Sequence, residues 1–98
     1  MELPTEITAN VNVNINIESD ETIAAALAGA HAGGDAVAQF FAYKHLPPHL
    51  ADVSRSFASL AAHIVETVPR GPERTVALRK LLESKDAAVR AVLAKAVA

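Results

Sequence analysis

The fold is decided by residues 47–82, which read PPHLADVSRSFASLAAHIVETVPRGPERTVALRKLL. The first half of this stretch repeats apolar residues at the spacing of one face of an α-helix. The apolar positions are Leu50, Val53, Phe57, Leu60, Ala61, Ile64 and Val68. Pro48 suits the first turn of this helix, where a backbone N–H donor is not needed. Residues 69–72, Pro-Arg-Gly-Pro, then interrupt the pattern.

A second long helix is expected to begin at Pro72. Its predicted buried residues are Leu78, Leu81, Leu82, Val89, Val92 and Leu93. A short connection makes two helices antiparallel neighbours. The sequence therefore predicts a mainly α protein built on an antiparallel helical hairpin, residues 48–68 and 72–95. Because two helices alone bury little apolar surface, we expect each hairpin to expose an apolar face that other copies cover.

Residues 7–17 alternate apolar and polar side chains, a pattern typical of a β-strand. The apolar members are Ile7, Ala9, Val11, Val13, Ile15 and Ile17, and threonine and asparagine alternate with them. No comparable segment follows, and a lone strand leaves its backbone donors and acceptors unpaired. We therefore expect this strand to pair with the same segment of another subunit. The alternative is a disordered tail.

Two short helices are expected between the strand and the hairpin. Ser19 or Asp20 can cap a helix over residues 21–32, which the following glycine pair ends. Asp35 can cap a second helix over residues 36–44. That helix stops ahead of the proline pair because a residue before proline is disfavoured in the α region.

The charges divide the chain into two parts. Residues 1–43 carry six acids and neither Lys nor Arg, whereas residues 44–98 hold all nine bases and five acids. The predicted organisation is an N-terminal arm, residues 1–40, followed by a helical-hairpin domain, residues 41–98. The asymmetry suggests arm-to-body contact between subunits or an anionic ligand on the body. A solvated charged surface is the alternative.

Composition limits what can stabilise the chain and where it functions. Its 98 residues are 51% hydrophobic, but alanine supplies much of that figure and aromatic residues are only 4%. The absence of cysteine excludes disulfides and thiolate metal sites, which leaves oligomerisation as a source of stability. No apolar run approaches the ~20 residues of a membrane span, and no signal peptide is evident. We expect a cytoplasmic protein without a membrane partner.

Catalytic arrangements are not indicated. His45 and His49 are four residues apart, but the intervening prolines prevent the helical turn that would direct both imidazoles to one metal. No cysteine nucleophile, nucleophile-elbow serine or glycine-rich phosphate loop is present. We therefore expect no enzyme activity, metal or cofactor.

The start of the last helix is a candidate anion site. Free backbone N–H groups and the positive end of the helix dipole meet there, and arginine suits bidentate phosphate contact. The side chains of this candidate site are Arg70, Arg74, Thr75 and Arg79. The alternative is an exposed, solubilising cluster partly neutralised by Glu73.

Tyr43 and Lys44 form a second candidate group ahead of the proline pair. An aromatic ring beside a cation can stack a base and hold its phosphate. The alternative is that Tyr43 only closes the core, with its hydroxyl group at the surface.

The order of these motifs resembles the phage anti-CBASS cyclic-oligonucleotide sponges. The matching features are Tyr43 before a proline-containing break, the Leu-Ala pair at residues 60–61 with Ile64, Pro69, and the run ERTVAL at residues 73–78. The resemblance covers about residues 43–94. It implies a small helical homohexamer that sequesters bacterial immune second messengers without hydrolysing them.

The resemblance also implies roles for individual residues. Tyr43 would be the base-stacking tyrosine, and residues 73–75 the polar helix start that lines ligand pockets. The family often has a phosphate-contacting lysine where residues 57–59 stand here, so Arg55, about one turn earlier, is the candidate substitute. The compact members of the family also lack a segment like residues 1–40.

Two hypotheses therefore stand. The first is a phage-encoded sponge in the host-cell cytoplasm that serves immune evasion, a homo-oligomer whose interfaces bind a cyclic di- or trinucleotide. The second is a structural or regulatory oligomerisation module without a ligand. Duplex nucleic acid is disfavoured as a partner, because the net charge of −2 and the acidic arm oppose binding to many phosphates.

If the predicted strand pairs between subunits, Val13→Asp places a charge in its buried face and costs on the order of several kcal/mol. Asn14→Asp, on the opposite face, should have a mild effect. Light-scattering mass across a dilution series measures both variants. Equal effects from the two substitutions would indicate a tail without a partner.

Overall fold

The computed structural model describes residues 19–97 of the chain. Its elements are α1 (Asp20–Ala32), a 3₁₀ helix (Ala36–Phe41), α2 (Pro48–Thr67) and α3 (Pro72–Val97). The described part is mainly helical, which confirms the predicted class. The strand predicted over residues 7–17 lies outside the described residues.

The ends of α1 follow from its local sequence. The Ser19 hydroxyl accepts a hydrogen bond from the Thr22 N–H at 3.1 Å, which satisfies one of the free donors at the helix start. At the other end, the N–H of Gly33 donates to the Gly29 carbonyl at 3.0 Å. Gly34 has a φ of 115°, a conformation that glycine adopts without steric cost. The glycine pair therefore ends α1, as predicted.

The segment after α1 differs from its prediction in two respects. The helix expected over residues 36–44 is a 3₁₀ helix over Ala36–Phe41, and the chain is extended at Ala42. The expected capping role of Asp35 is wrong, because its side chain makes no capping hydrogen bond. The carboxylate pairs with Arg74 instead.

The core forms where α1, the 3₁₀ helix and α2 meet. Ala38 and Phe41 are both buried, since residues three apart share a face of a 3₁₀ helix. Ile23 of α1 and Leu78 of α3 are also fully buried. The buried residues of α2 are small, namely Ser54, Ala58, Ala61 and Ala62. Helix α1, which the sequence assigned to the arm, thus shares a core with the hairpin helices.

Helices α2 and α3 begin at the predicted prolines. Pro48 occupies the first turn of α2 and Pro72 that of α3. Residues 68–71 connect the two helices, and the helices pack against each other. Farther along α3, Lys85 donates a hydrogen bond from Nζ to the Phe40 carbonyl at 2.9 Å. Helix α3 is therefore fastened to the 3₁₀ helix as well as to α2.

Several large apolar side chains are exposed in the single chain. The most exposed are Phe40 (56%), Leu60 (47%), Val76 (47%), Leu93 (43%) and Val68 (38%). Three of them had been assigned to the apolar faces of the hairpin helices: Leu60, Val68 and Leu93. Within one chain, these parts of both helices are therefore left uncovered.

A buried ion pair joins the start of α3 to the loop after α1. Arg74 and Asp35 are only 6% and 8% exposed, and the guanidinium donates to the carboxylate. Nη1 of Arg74 also donates to the carbonyls of Val65 at 3.1 Å and Val68 at 3.0 Å. These carbonyls lie at the end of α2, where helix acceptors have no partner within the helix. One side chain therefore connects three segments of the fold.

We predict that Arg74→Met lowers the free energy of unfolding by about 3–5 kcal/mol, because it leaves the Asp35 carboxylate buried without its cation. Adding Asp35→Asn should recover part of that loss, since the charge then disappears. Urea denaturation measures both variants.

The matched control for Arg74→Met is Arg79→Met, at an exposed arginine of the same helix. It should change stability by less than about 0.5 kcal/mol. Equal stabilities for the two single variants would contradict a structural role for Arg74.

Candidate functional site

Tyr43 lies between the start of α1 and the middle of α2. Its side chain is buried, and its hydroxyl donates a hydrogen bond to the Asp20 carboxylate. Arg55 Nε donates to the same carboxylate oxygen at 2.9 Å. The side chains of Asp20 and Arg55 remain 40% and 43% exposed. The three residues thus form a hydrogen-bonded group at the surface of the core.

This group holds its members in defined protonation states. The Tyr43 hydroxyl and then the Arg55 guanidinium hold the pKa of Asp20 below its usual value. Burial and then the bond to Asp20 raise the pKa of Tyr43. The same carboxylate raises the pKa of Arg55. At neutral pH the group is therefore an aspartate, an arginine cation and a neutral tyrosine.

The low pKa of Asp20 makes a contribution to stability that depends on pH. A carboxylic acid whose pKa is lower in the folded chain stabilises the fold at pH values above its unfolded pKa. This contribution disappears as the pH falls through the folded pKa. For Tyr43 the direction is reversed, since its raised pKa favours unfolding when the pH rises past the ordinary tyrosine value.

A groove of about 450 Å³ lies between α1 and the segment from the 3₁₀ helix to residue 45. Its lining consists of Ile23, Ala24, Leu27, Ala28, His31, Ala38, Gln39, Phe41, Ala42, Tyr43, Lys44 and His45. The large apolar members are buried, whereas His31, Lys44 and His45 are exposed. The lining contains no acidic residue. The groove is therefore apolar with a rim that carries only potential cations.

The predicted anion site at the start of α3 is rearranged by contacts within the chain. Arg74 is buried and bonded to Asp35, so its guanidinium does not face solvent. Arg70, half exposed, donates from Nη1 to the Gly33 carbonyl at 2.6 Å. The Thr75 hydroxyl donates to the Gly71 carbonyl at 3.3 Å. Of the predicted residues near this end, Arg70 and Arg79 keep solvent access.

Five of the seven predicted site residues fall into two groups. Tyr43 and Arg55 meet at Asp20, beside the exposed Lys44. Arg70 and Arg74 lie near Asp35, with the Arg70 guanidinium 3.8 Å from its carboxylate. Thr75 and Arg79 belong to neither group and lie on α3, after Arg74 in the chain.

The residues that sequence reasoning missed are the two aspartates that organise these groups. Asp20 and Asp35 had been considered only as helix caps. The signal for their roles was the acidic arm beside a basic body. The described contacts place two arm-to-body ion pairs inside one chain, Asp20 with Arg55 and Asp35 with Arg74. The proposed contact between subunits is not needed to explain these two acids.

Among residues 19–97, no group of three His, Cys, Asp or Glu side chains is arranged to hold a metal ion. None of the helices in this range combines the length and the apolar character needed to cross a bilayer.

Tyr43 is the single tyrosine of a chain without tryptophan, so absorbance titration of the phenolate reports on this residue alone. We predict a pKa above the ordinary tyrosine value in the native protein. Asp20→Asn should lower it part of the way back, because burial still opposes ionisation. Asp52→Asn, at an exposed aspartate, is the control and should leave it unchanged. A Tyr43 pKa that Asp20→Asn leaves unaltered would contradict the hydrogen bond.

Comparisons with known proteins identify no relative. No family model matches the chain, and no curated protein or solved structure matches it significantly. The likeness to the sponge family accordingly rests on the quoted residues alone. The function has to be argued from the chain's own side chains.

Proposed function

We propose that this chain is a homo-oligomeric sponge that sequesters a cyclic di- or trinucleotide second messenger at interfaces between copies and releases it intact. In this proposal it acts in the host-cell cytoplasm as a phage anti-CBASS protein. The observation that carries the proposal is the exposure of large apolar side chains on a small chain with an alanine-rich core. Phe40, Leu60, Val76 and Leu93 are each more than 40% exposed.

Self-association is supported by the energetics of those side chains. Burying a leucine, valine or phenylalanine side chain is worth about 1.5–3 kcal/mol. The buried residues of α2 are alanines and one serine, so this helix buries little apolar area within one chain. Contact between copies through the hairpin helices would add the missing burial. In the proposed assembly, α2 and α3 of each chain form an antiparallel hairpin. Residues 7–17 of one copy pair with the same residues of another copy.

Ligand binding is supported by the cations that remain accessible. Lys44 and Arg79 are exposed, and Arg70 is half exposed. Such side chains can make charge-assisted hydrogen bonds with phosphates. Tyr43 lines the groove, although only 6% of the residue is exposed, and its hydroxyl is bonded to Asp20. Arg74 would then act by positioning the start of α3, and the resemblance to the sponge family supplies the ligand class.

A second candidate function is an oligomerisation module without a ligand. The observation in its favour is that Tyr43, Arg55 and Arg74 all make side-chain hydrogen bonds to aspartates of the same chain. A phosphate would have to compete with Asp20 for Arg55 and with Asp35 for Arg74. The two candidates share the assembly and differ only in the ligand.

The test combines mass in solution with calorimetric titration of cyclic di- and trinucleotides. We predict a mass greater than a dimer, and binding that Arg79→Ala weakens about tenfold to a hundredfold, since a charge-assisted hydrogen bond is worth about 1.5–3 kcal/mol. Arg90→Ala removes an exposed arginine farther along the same helix and should leave affinity unchanged. Mass spectrometry of the recovered ligand should find it intact.

The possible outcomes separate the candidates. A monomeric mass at micromolar concentration would refute both of them. An oligomer that binds no cyclic nucleotide supports the module. Equal losses from Arg79→Ala and Arg90→Ala indicate attraction by general charge alone. Cleaved ligand would mean that the protein is an enzyme.

A further inference from the structure

The groove beside α1 has a shape that suits an extended chain. Its floor is made of large side chains that are at most 7% exposed, including Ile23, Leu27 and Phe41. Its accessible walls are alanines, Ala24 and Ala28 on α1 and Ala42 opposite. Small walls allow a backbone to approach closely. Apolar side chains on one face of that extended chain can then contact the floor of the groove.

The course of the chain brings one particular segment to this groove. Residue 18 is bonded to Ser19, the cap of α1, so the preceding residues begin at the start of that helix. The bond between Tyr43 and Asp20 places one end of the groove at the same point. The other end lies near His31, at the end of α1. A segment that reversed direction before Ser19 and passed on this side of α1 would run along the groove.

The length of the groove matches three alternating apolar residues. Ile23 and His31 are eight residues apart on a helix, about 12 Å at a rise of roughly 1.5 Å per residue. Residues 13 and 17 of an extended chain are about 13 Å apart at roughly 3.3 Å per residue. Val13, Ile15 and Ile17 share one face of such a chain.

The rim of the groove and the N-terminal segment, residues 1–18, carry opposite charges. The rim of the groove contains Lys44, His31 and His45 and no acidic residue. Residues 1–18 contain three glutamates and no Lys, Arg or His. Opposite charges on the rim and the segment attract each other, and salt weakens that attraction.

We propose that residues 13–17 lie in the groove of their own chain, antiparallel to α1. Val13, Ile15 and Ile17 contact the groove, and Asn14 and Asn16 face outward. The backbone edges of the segment stay available, so pairing with another copy remains compatible. The proposal does not depend on the binding of a cyclic nucleotide.

The chain has no cysteine, which allows the contact to be tested by introduced disulfides in the full-length protein. The test pairs are Ile15→Cys with Ala28→Cys, and Ile17→Cys with Ala24→Cys. We expect at least one pair to form an intramolecular disulfide roughly tenfold faster than the controls, because proximity raises the effective concentration. Non-reducing electrophoresis and intact mass after mild oxidation measure the rates.

Two control pairs each move one cysteine away from the contact. Asn14→Cys with Ala28→Cys tests the outward face of the segment. Ile17→Cys with Ala25→Cys tests an exposed alanine of α1 that does not line the groove. Circular dichroism checks that every variant keeps its helix content.

The results have distinct meanings. Fast intramolecular linkage of a test pair supports the proposal. Disulfides between the segment cysteine of one chain and the α1 cysteine of another would overturn it, because the occupant of the groove would then come from a second copy. Test pairs that react no faster than the controls would also overturn it, since the segment would have no fixed position on α1.

Discussion

The arrangement of the helices depends on the buried ion pair between Arg74 and Asp35. Removing two charges from water costs several kcal/mol each, and only good geometry with further hydrogen bonds offsets that cost. Arg74 meets this condition by also donating to the carbonyls of Val65 and Val68. Those carbonyls lie at the C-terminal end of α2. Arg74 therefore holds together the connection between α2 and α3 (residues 68–71) and the loop after α1.

Asp20, nearer the surface, also joins two segments of the fold through hydrogen bonds to its carboxylate. Asp20 receives hydrogen bonds from Tyr43 and Arg55, and thereby attaches the start of α1 to α2. The acidic part of the chain thus neutralises selected cations of the basic part. The cations that remain accessible, among them Lys44 and Arg79, are the ones available to an anionic ligand. Internal pairing therefore narrows a broad basic surface to a few candidate contacts.

The apolar side chains form two kinds of surface, which differ in the partner they suit. Leu60, Val76 and Leu93 lie on the hairpin helices and suit contact between copies. The groove beside α1 has an alanine wall and suits a narrow, extended segment of the chain itself. Both surfaces accompany a core in which half of the buried apolar residues are alanines, Ala30, Ala38, Ala58, Ala61 and Ala62, which bury less apolar area than larger side chains.

The sequence by itself determined where the helices begin and end. Pro48, Pro72, the Ser19 cap and the glycine pair after α1 act through their own backbone or through neighbours a few residues away, so local patterns reveal them. Tertiary structure decided the 3₁₀ form of Ala36–Phe41, the burial of Arg74 and the role of Asp35. The partners in the ion pair are 39 residues apart, and those at Asp20 are 23 and 35 residues apart. Such contacts depend on how the helices pack, because no local pattern encodes which distant charge a side chain will meet.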